Sequence, residues 1–97
     1  MAIINPNHID EVLGQFRGRQ FTTADFKSLF QSLYPDDWAI LVNRYGDGGR
    51  GGGQYYSANC YLGHRLKDRE RKGMISLVEF VSAPPLWGND VIANWEY

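Results

Sequence analysis

Cys60 and His64 stand four residues apart, a spacing that puts a thiol and an imidazole on one face of a helix. Two chemistries fit such a pair: a nucleophile with its base, or two ligands of a metal ion. A metal site needs more ligands, and His8 is the only other histidine in the chain. A thiol nucleophile needs a third, orienting group and a site for the oxyanion, and neither is visible in the sequence. Zinc, calcium and dinucleotide motifs are absent. The expectation is a protein that is not an enzyme and that takes no metal and no cofactor.

The remaining chemistry is that of charge. The chain has 97 residues and a net charge of −1, but the charge is unevenly placed. Residues 44–72 hold seven Lys or Arg against three Asp or Glu, residues 1–43 hold three against five, and residues 73–97 hold three acids and no base. The positive charge therefore gathers on one segment. At about 100° per residue, Cys60, His64, Lys67 and Arg71 share one side of a helix over 57–72, flanked by Asn59 and Gly63. Ala58, Tyr61, Leu62 and Leu66 share the other side and are expected to pack on a core. Lys and Arg suit phosphate or guanine, and Asn can pair with adenine through two hydrogen bonds. The plain alternative is a solvated helix face with no partner. Arg65 and Arg69 fall near the apolar side, where their stems cover the core and their charges pair with Asp68 or Glu79.

The elements that position this helix follow from periodicity. Ile9, Val12, Leu13 and Phe16 mark a first helix, with Asn7 expected at its cap and Gly18 after its end. Gln20-Phe21-Thr22 reads as a short extended piece, and Thr22 with Asp25 forms a capping-box signature for a second helix carrying Phe26, Leu29, Phe30 and Leu33. Pro35 ends that helix, and Asp36 or Asp37 is expected to cap a third, striped by Trp38, Leu41, Val42 and Tyr45. Residues 46–53 contain six glycines in eight, too many for a stable helix or strand. Ser57 caps the basic helix and Gly73 stops it. Met74 to Val81 and Asp90 to Tyr97 read as two strands, joined through 82–89 into a hairpin.

This order, with Phe21-Thr22-Thr23-Ala24-Asp25-Phe26 before the helices and Tyr61-Leu62-Gly63-His64-Arg65-Leu66-Lys67-Asp68-Arg69-Glu70-Arg71-Lys72-Gly73-Met74-Ile75-Ser76-Leu77-Val78 leading into a strand, resembles the winged helix-turn-helix superfamily. The resemblance implies an α+β fold in one domain over 1–97: a helical bundle with a C-terminal β-hairpin wing at about 82–90. It implies a recognition helix at 57–72 that enters the major groove of double-stranded DNA, in a transcriptional regulator or the targeting subunit of a DNA-modification or restriction system. Arg50, Ser57, Asn59, His64, Lys67, Arg71 and Trp87 are then the candidate DNA-binding residues. A homodimer or a larger protein partner is compatible with it, and the alternative function is a winged-helix protein–protein adapter without nucleic acid.

Two candidates keep more than one reading. Arg50, inside the glycine run, suits a phosphate nest, a DNA-touching loop or a plain connector, although the run lacks the Lys-Ser/Thr ending of a P-loop. Trp87 either meets a DNA backbone or minor groove, or folds with Leu86 onto the core. One cysteine excludes an internal disulfide, and the first six residues lack the basic and long apolar runs of a signal peptide. The longest aliphatic stretch, Ala39 to Val42, is far too short to span a bilayer, so a reducing, cytoplasmic setting is expected.

Overall fold

The computed structural model describes residues 3–46 and 57–97. Over these residues the chain is a small α+β fold of four helices and a three-stranded antiparallel sheet. The order is α1 (Pro6–Gly14), β1 (Gln20–Thr22), α2 (Thr23–Leu33), α3 (Pro35–Tyr45), α4 (Ala58–Arg71), β2 (Ser76–Ser82) and β3 (Val91–Glu96). The short extended piece is a strand of the sheet: Gln20, Phe21 and Thr22 pair with Glu96, Trp95 and Asn94, a pairing that the sequence did not indicate, so the sheet order is β1-β3-β2.

Local chemistry explains most boundaries. Thr22 Oγ1 accepts from the Asp25 backbone N–H at 3.1 Å, and Asp25 Oδ2 accepts from the Thr22 N–H at 2.9 Å, completing the capping box of α2. Two expected caps are different in the structure. Asn5, not Asn7, caps α1, because Pro6 takes the first helical position, where its missing N–H costs nothing. Likewise Pro35 opens α3 instead of merely ending α2, which leaves Asp36 and Asp37 in the first turn and no side-chain cap. At the end of α4, Gly73 adopts a φ of 79°; its N–H donates to Glu70 O and that of Met74 to Arg69 O. This Schellman closure turns the chain directly into β2.

The core lies between the helices and one face of the sheet. Ile9, Leu13, Phe26, Phe30, Leu41, Leu62 and Leu66 are fully buried in it. Phe16, Phe21, Phe26 and Phe30 form a continuous aromatic row, with the Phe16 and Phe21 rings stacked at 4.5 Å. Helix α2 is central, packing on α1, α3, α4 and β3. Its first residue, Thr23, is bonded into the sheet: its hydroxyl accepts from Trp95 Nε1 at 3.1 Å and donates to Ala93 O at 3.5 Å. On the outer side, His8 Nδ1 lies 2.5 Å from Asp37 Oδ2 and its ring stacks on Tyr34, tying α1 to α3.

Arg69 anchors α4 to α1. Its side chain is buried, its Nε donates to Asp10 Oδ1 at 2.9 Å, and its Nη2 donates to Pro6 O at 3.3 Å. The sequence places the guanidinium correctly near the apolar side, but its partner is Asp10 and not Asp68 or Glu79. A carboxylate 59 residues away is invisible to local spacing. Arg65 does pair with Asp68, at 3.1 Å, and covers the Tyr61 ring at 4.8 Å.

Candidate functional site

Helix α4 presents two distinct faces. Ala58, Tyr61, Leu62 and Leu66 are buried against the core, as the helical wheel requires. His64, Lys67 and Arg71 are exposed on the opposite face. The stripe therefore consists of one imidazole and two cations held outward by a packed inner face. Its electrostatics register on His64, whose imidazole is held below its ordinary range: partial burial disfavours the charged ring first, and Arg65, Lys67 and Arg71 add cationic repulsion that Asp68 only partly offsets. Arg71 also reaches Asp68, at 3.5 Å, but remains mostly solvated, so this pair holds it only weakly.

Three of the sequence-derived contact residues lie inside the protein and do not take the outward role expected of them. Ser57 is buried and spends its hydroxyl on the helix cap, accepting from Cys60 N–H at 3.3 Å. Asn59, 1% exposed, lies beneath the 83–90 connection and donates from Nδ2 to Trp87 O at 3.4 Å. Trp87 is 6% exposed: it folds back over the helices, where Lys27 Nζ lies 5.2 Å from its ring centroid and 5.2 Å from that of Trp38. Burying an indole exceeds what an exposed tip would gain, and the neighbour that stays in solvent is Leu86. Arg50 and residues 47–53 fall outside the described residues. The flanking ends meet, since Ala58 N–H donates to Gly46 O at 2.7 Å.

The hairpin adds residues that sequence reasoning missed. Leu77, Phe80 and Val91 are exposed on the hairpin face that looks toward α4, and together with Cys60, Gly63, His64 and Lys67 they line an open groove of about 380 Å³. Trp95, Ala93 and Asn59 also line it, at its protein-facing side. Strict alternation would set Leu77 and Phe80 on opposite faces. A bulge at Val78 restores them to one face: Leu77 pairs with Trp95, Phe80 with Ala93 and Ser82 with Val91. The only sequence signal was the apolar excess of 74–81, which did not reveal the bulge. Cys60 and His64 share this groove. Among the described residues there is no cluster of three or more His, Cys, Asp or Glu able to hold a metal, and no helix long and apolar enough to cross a membrane.

Family models, curated proteins and solved structures were all compared with the chain, and none matches it.

Proposed function

We propose that this chain is a DNA-binding winged-helix module, a regulator or the targeting subunit of a DNA-modification or restriction system, that lays the outer face of α4 in the major groove. One observation carries this reading: His64, Lys67 and Arg71 form an exposed stripe on a helix whose inner face is wholly committed to the core. The stripe runs about 10 Å along the helix axis. The element order, the short β1 paired to β3, and the hairpin directly after α4 support the winged-helix part of the proposal. In it the 83–90 connection is the wing, held down by Trp87, and its exposed edge flanks the duplex.

The test is association with a pool of duplexes over a salt series. Each cation that neutralises a phosphate adds about one unit to the slope of log affinity against log salt. Lys67→Ala is expected to weaken binding and to flatten that slope if it meets phosphate. If it reads a base, it costs about 1–3 kcal/mol on the preferred site and spares non-specific binding. Absence of any salt-dependent association at low salt refutes the proposal.

A second reading, a winged-helix adapter that binds protein, is favoured by a specific feature. Phe80 and Val91 are 62% and 51% exposed beside α4, an apolar wall that a purely phosphate-binding face does not require. Loss of a protein partner in Phe80→Ala, with no duplex binding in the parent, selects this reading.

A further inference from the structure

We propose that the outer edge of β2 is a dimer interface, on which β2 of a second copy of this chain lies antiparallel and joins the two sheets into one. The edge is open, and its hydrogen-bonding groups point outward. β2 ends the order β1-β3-β2, so one of its sides has no strand beside it among the described residues. Ala83 and Asp90 continue the register of Ser82 with Val91, and Ala83 N–H donates to Asp90 O at 2.9 Å, so these two form a hydrogen-bonded pair. Such pairs alternate with non-bonded ones along an antiparallel ladder. Val81 and Glu79 therefore bond to β3, whereas Phe80 and Ser82 turn their N–H and C=O groups to the free side. Backbone groups set in this way are matched by another strand, not by a helix or a small molecule.

The strand's own sequence selects a second copy as the occupant. Edge strands are ordinarily guarded by shortness, lysine or proline. β1, at the opposite edge, has only 3 residues. β2 has 7, holds no lysine or proline, and leaves Leu77, Val78 and Phe80 exposed. Its only charge is Glu79, and beyond the bulge residues 79–82 are regular. Two copies of this stretch complement each other about a twofold axis at Phe80. The outward groups of Phe80 then meet those of the partner's Phe80, the two rings lie side by side, and Glu79 falls opposite the partner's Val81. Moving the axis to Glu79 sets two carboxylates face to face. Moving it to Val81 parts the rings and brings in Pro84, which has no N–H to donate. So short a ladder buries less than the roughly 800 Å² per partner of a standard interface, so the dimer is weak, with a Kd of about 10–1,000 μM.

The dimer does not depend on the DNA reading, but its consequence does. An axis perpendicular to the sheet keeps both α4 helices on one side, so on that reading two copies bind an inverted-repeat duplex cooperatively. The experiment is sedimentation equilibrium of the full chain from micromolar to millimolar concentration, with amide exchange followed by NMR over the same range. A monomer–dimer equilibrium that closes at two copies is expected. Exchange at Phe80 and Ser82 should slow as concentration rises, while that at Val81, already bonded to β3, stays constant. In a mixture of labelled and unlabelled chains, intermolecular contacts should join Glu79 to Val81. Ser82→Pro removes an outward N–H and no bond to β3, so it should weaken the dimer about tenfold with unchanged circular dichroism. Phe80→Ala, at an exposed position, should do the same. If Ser82→Pro fails to fold, the exchange pattern of the parent decides. A chain that stays monomeric at millimolar concentration leaves the edge to another protein's strand or to none, and overturns the proposal. So does growth beyond two copies, or a dimer that leaves exchange at Phe80 and Ser82 unchanged. In a parallel arm an inverted-repeat duplex is added. Duplex binding by a chain that never dimerises sinks the interface alone; a dimer that binds no duplex sinks the DNA reading alone.

Discussion

At the residue scale, the informative groups are those whose surroundings set their charge. His64 is the clearest. Burial and the cations Arg65, Lys67 and Arg71 hold its folded-state value below the ordinary 6.5. Between the two values the unfolded chain binds more protons than the folded one, so stability is complete above pH 6.5 and falls as the pH drops through 6.5 toward the folded-state value. Urea midpoints should therefore decline on acidification more in the parent than in His64→Gln. On the DNA proposal, phosphates brought beside the ring oppose the cations, and an NMR titration should find the imidazole raised in the complex. A free-protein His64 that titrates at or above 6.5 contradicts the electrostatic picture of the stripe. Arg69 is the opposite case, a cation taken out of water and held by Asp10 and Pro6 O. Asp10→Ala leaves a buried guanidinium short of an acceptor and should cost about 1–3 kcal/mol in chemical unfolding. An unchanged midpoint would mean that water fully replaces the carboxylate.

At the scale of elements, α4 depends on its inner face and the 83–90 connection on one indole. Leu66 is fully buried, so Leu66→Ala should cost about 2–5 kcal/mol. Trp87→Ala should cost about 3–5 kcal/mol if the neighbouring helices do not close over the space. Leu86→Ala, at an 85% exposed neighbour with a φ of 63°, should be close to neutral or slightly favourable. Thermal unfolding of the three variants distinguishes them; a stable Leu66→Ala would mean that α4 is rotated and that its stripe faces elsewhere. The hairpin illustrates a different dependence. The apolar groove wall exists because the bulge at Val78 brings Leu77 into line with Phe80. Deleting Val78 should remove the bulge and leave Leu77 opposite Trp95 and Phe80 opposite Ala93 in a regular ladder, whereas inserting a second residue there should turn Leu77 to the other face; backbone NMR contacts across β2 and β3 check both.

At the scale of the whole molecule, a net charge of −1 conceals an excess of positive charge on residues 44–72. On the DNA proposal it is this local field, and not the net charge, that sets association. A Lys67→Glu, Arg71→Glu double variant should fold as the parent does, since both side chains are exposed, and should lose duplex binding at low salt. Circular dichroism and anisotropy measured together test this: normal folding with undiminished binding moves the contact surface away from α4.

What the sequence determined by itself was everything governed by short-range spacing. Helical stripes placed Leu62 and Leu66 inward and Lys67 and Arg71 outward; Thr22 with Asp25 set the start of α2, and Gly73 the end of α4. Those signals act within a few residues, through side-chain direction, caps and backbone freedom, and are legible wherever the residue types are known. The two prolines show the limit even here, because Pro6 and Pro35 each begin a helix and displaced the expected caps by two or three residues. Only the tertiary structure decided which polar residues face water. Ser57 and Asn59 look available on a wheel, yet the cap engages the first and the returning 83–90 connection covers the second. It also decided that Trp87 lies on Lys27, that Arg69 meets Asp10, and that Leu77, Phe80 and Val91 come together across from Lys67. Each of these joins residues distant along the chain, and burial depends on the sum of such neighbours, a quantity that no local window contains.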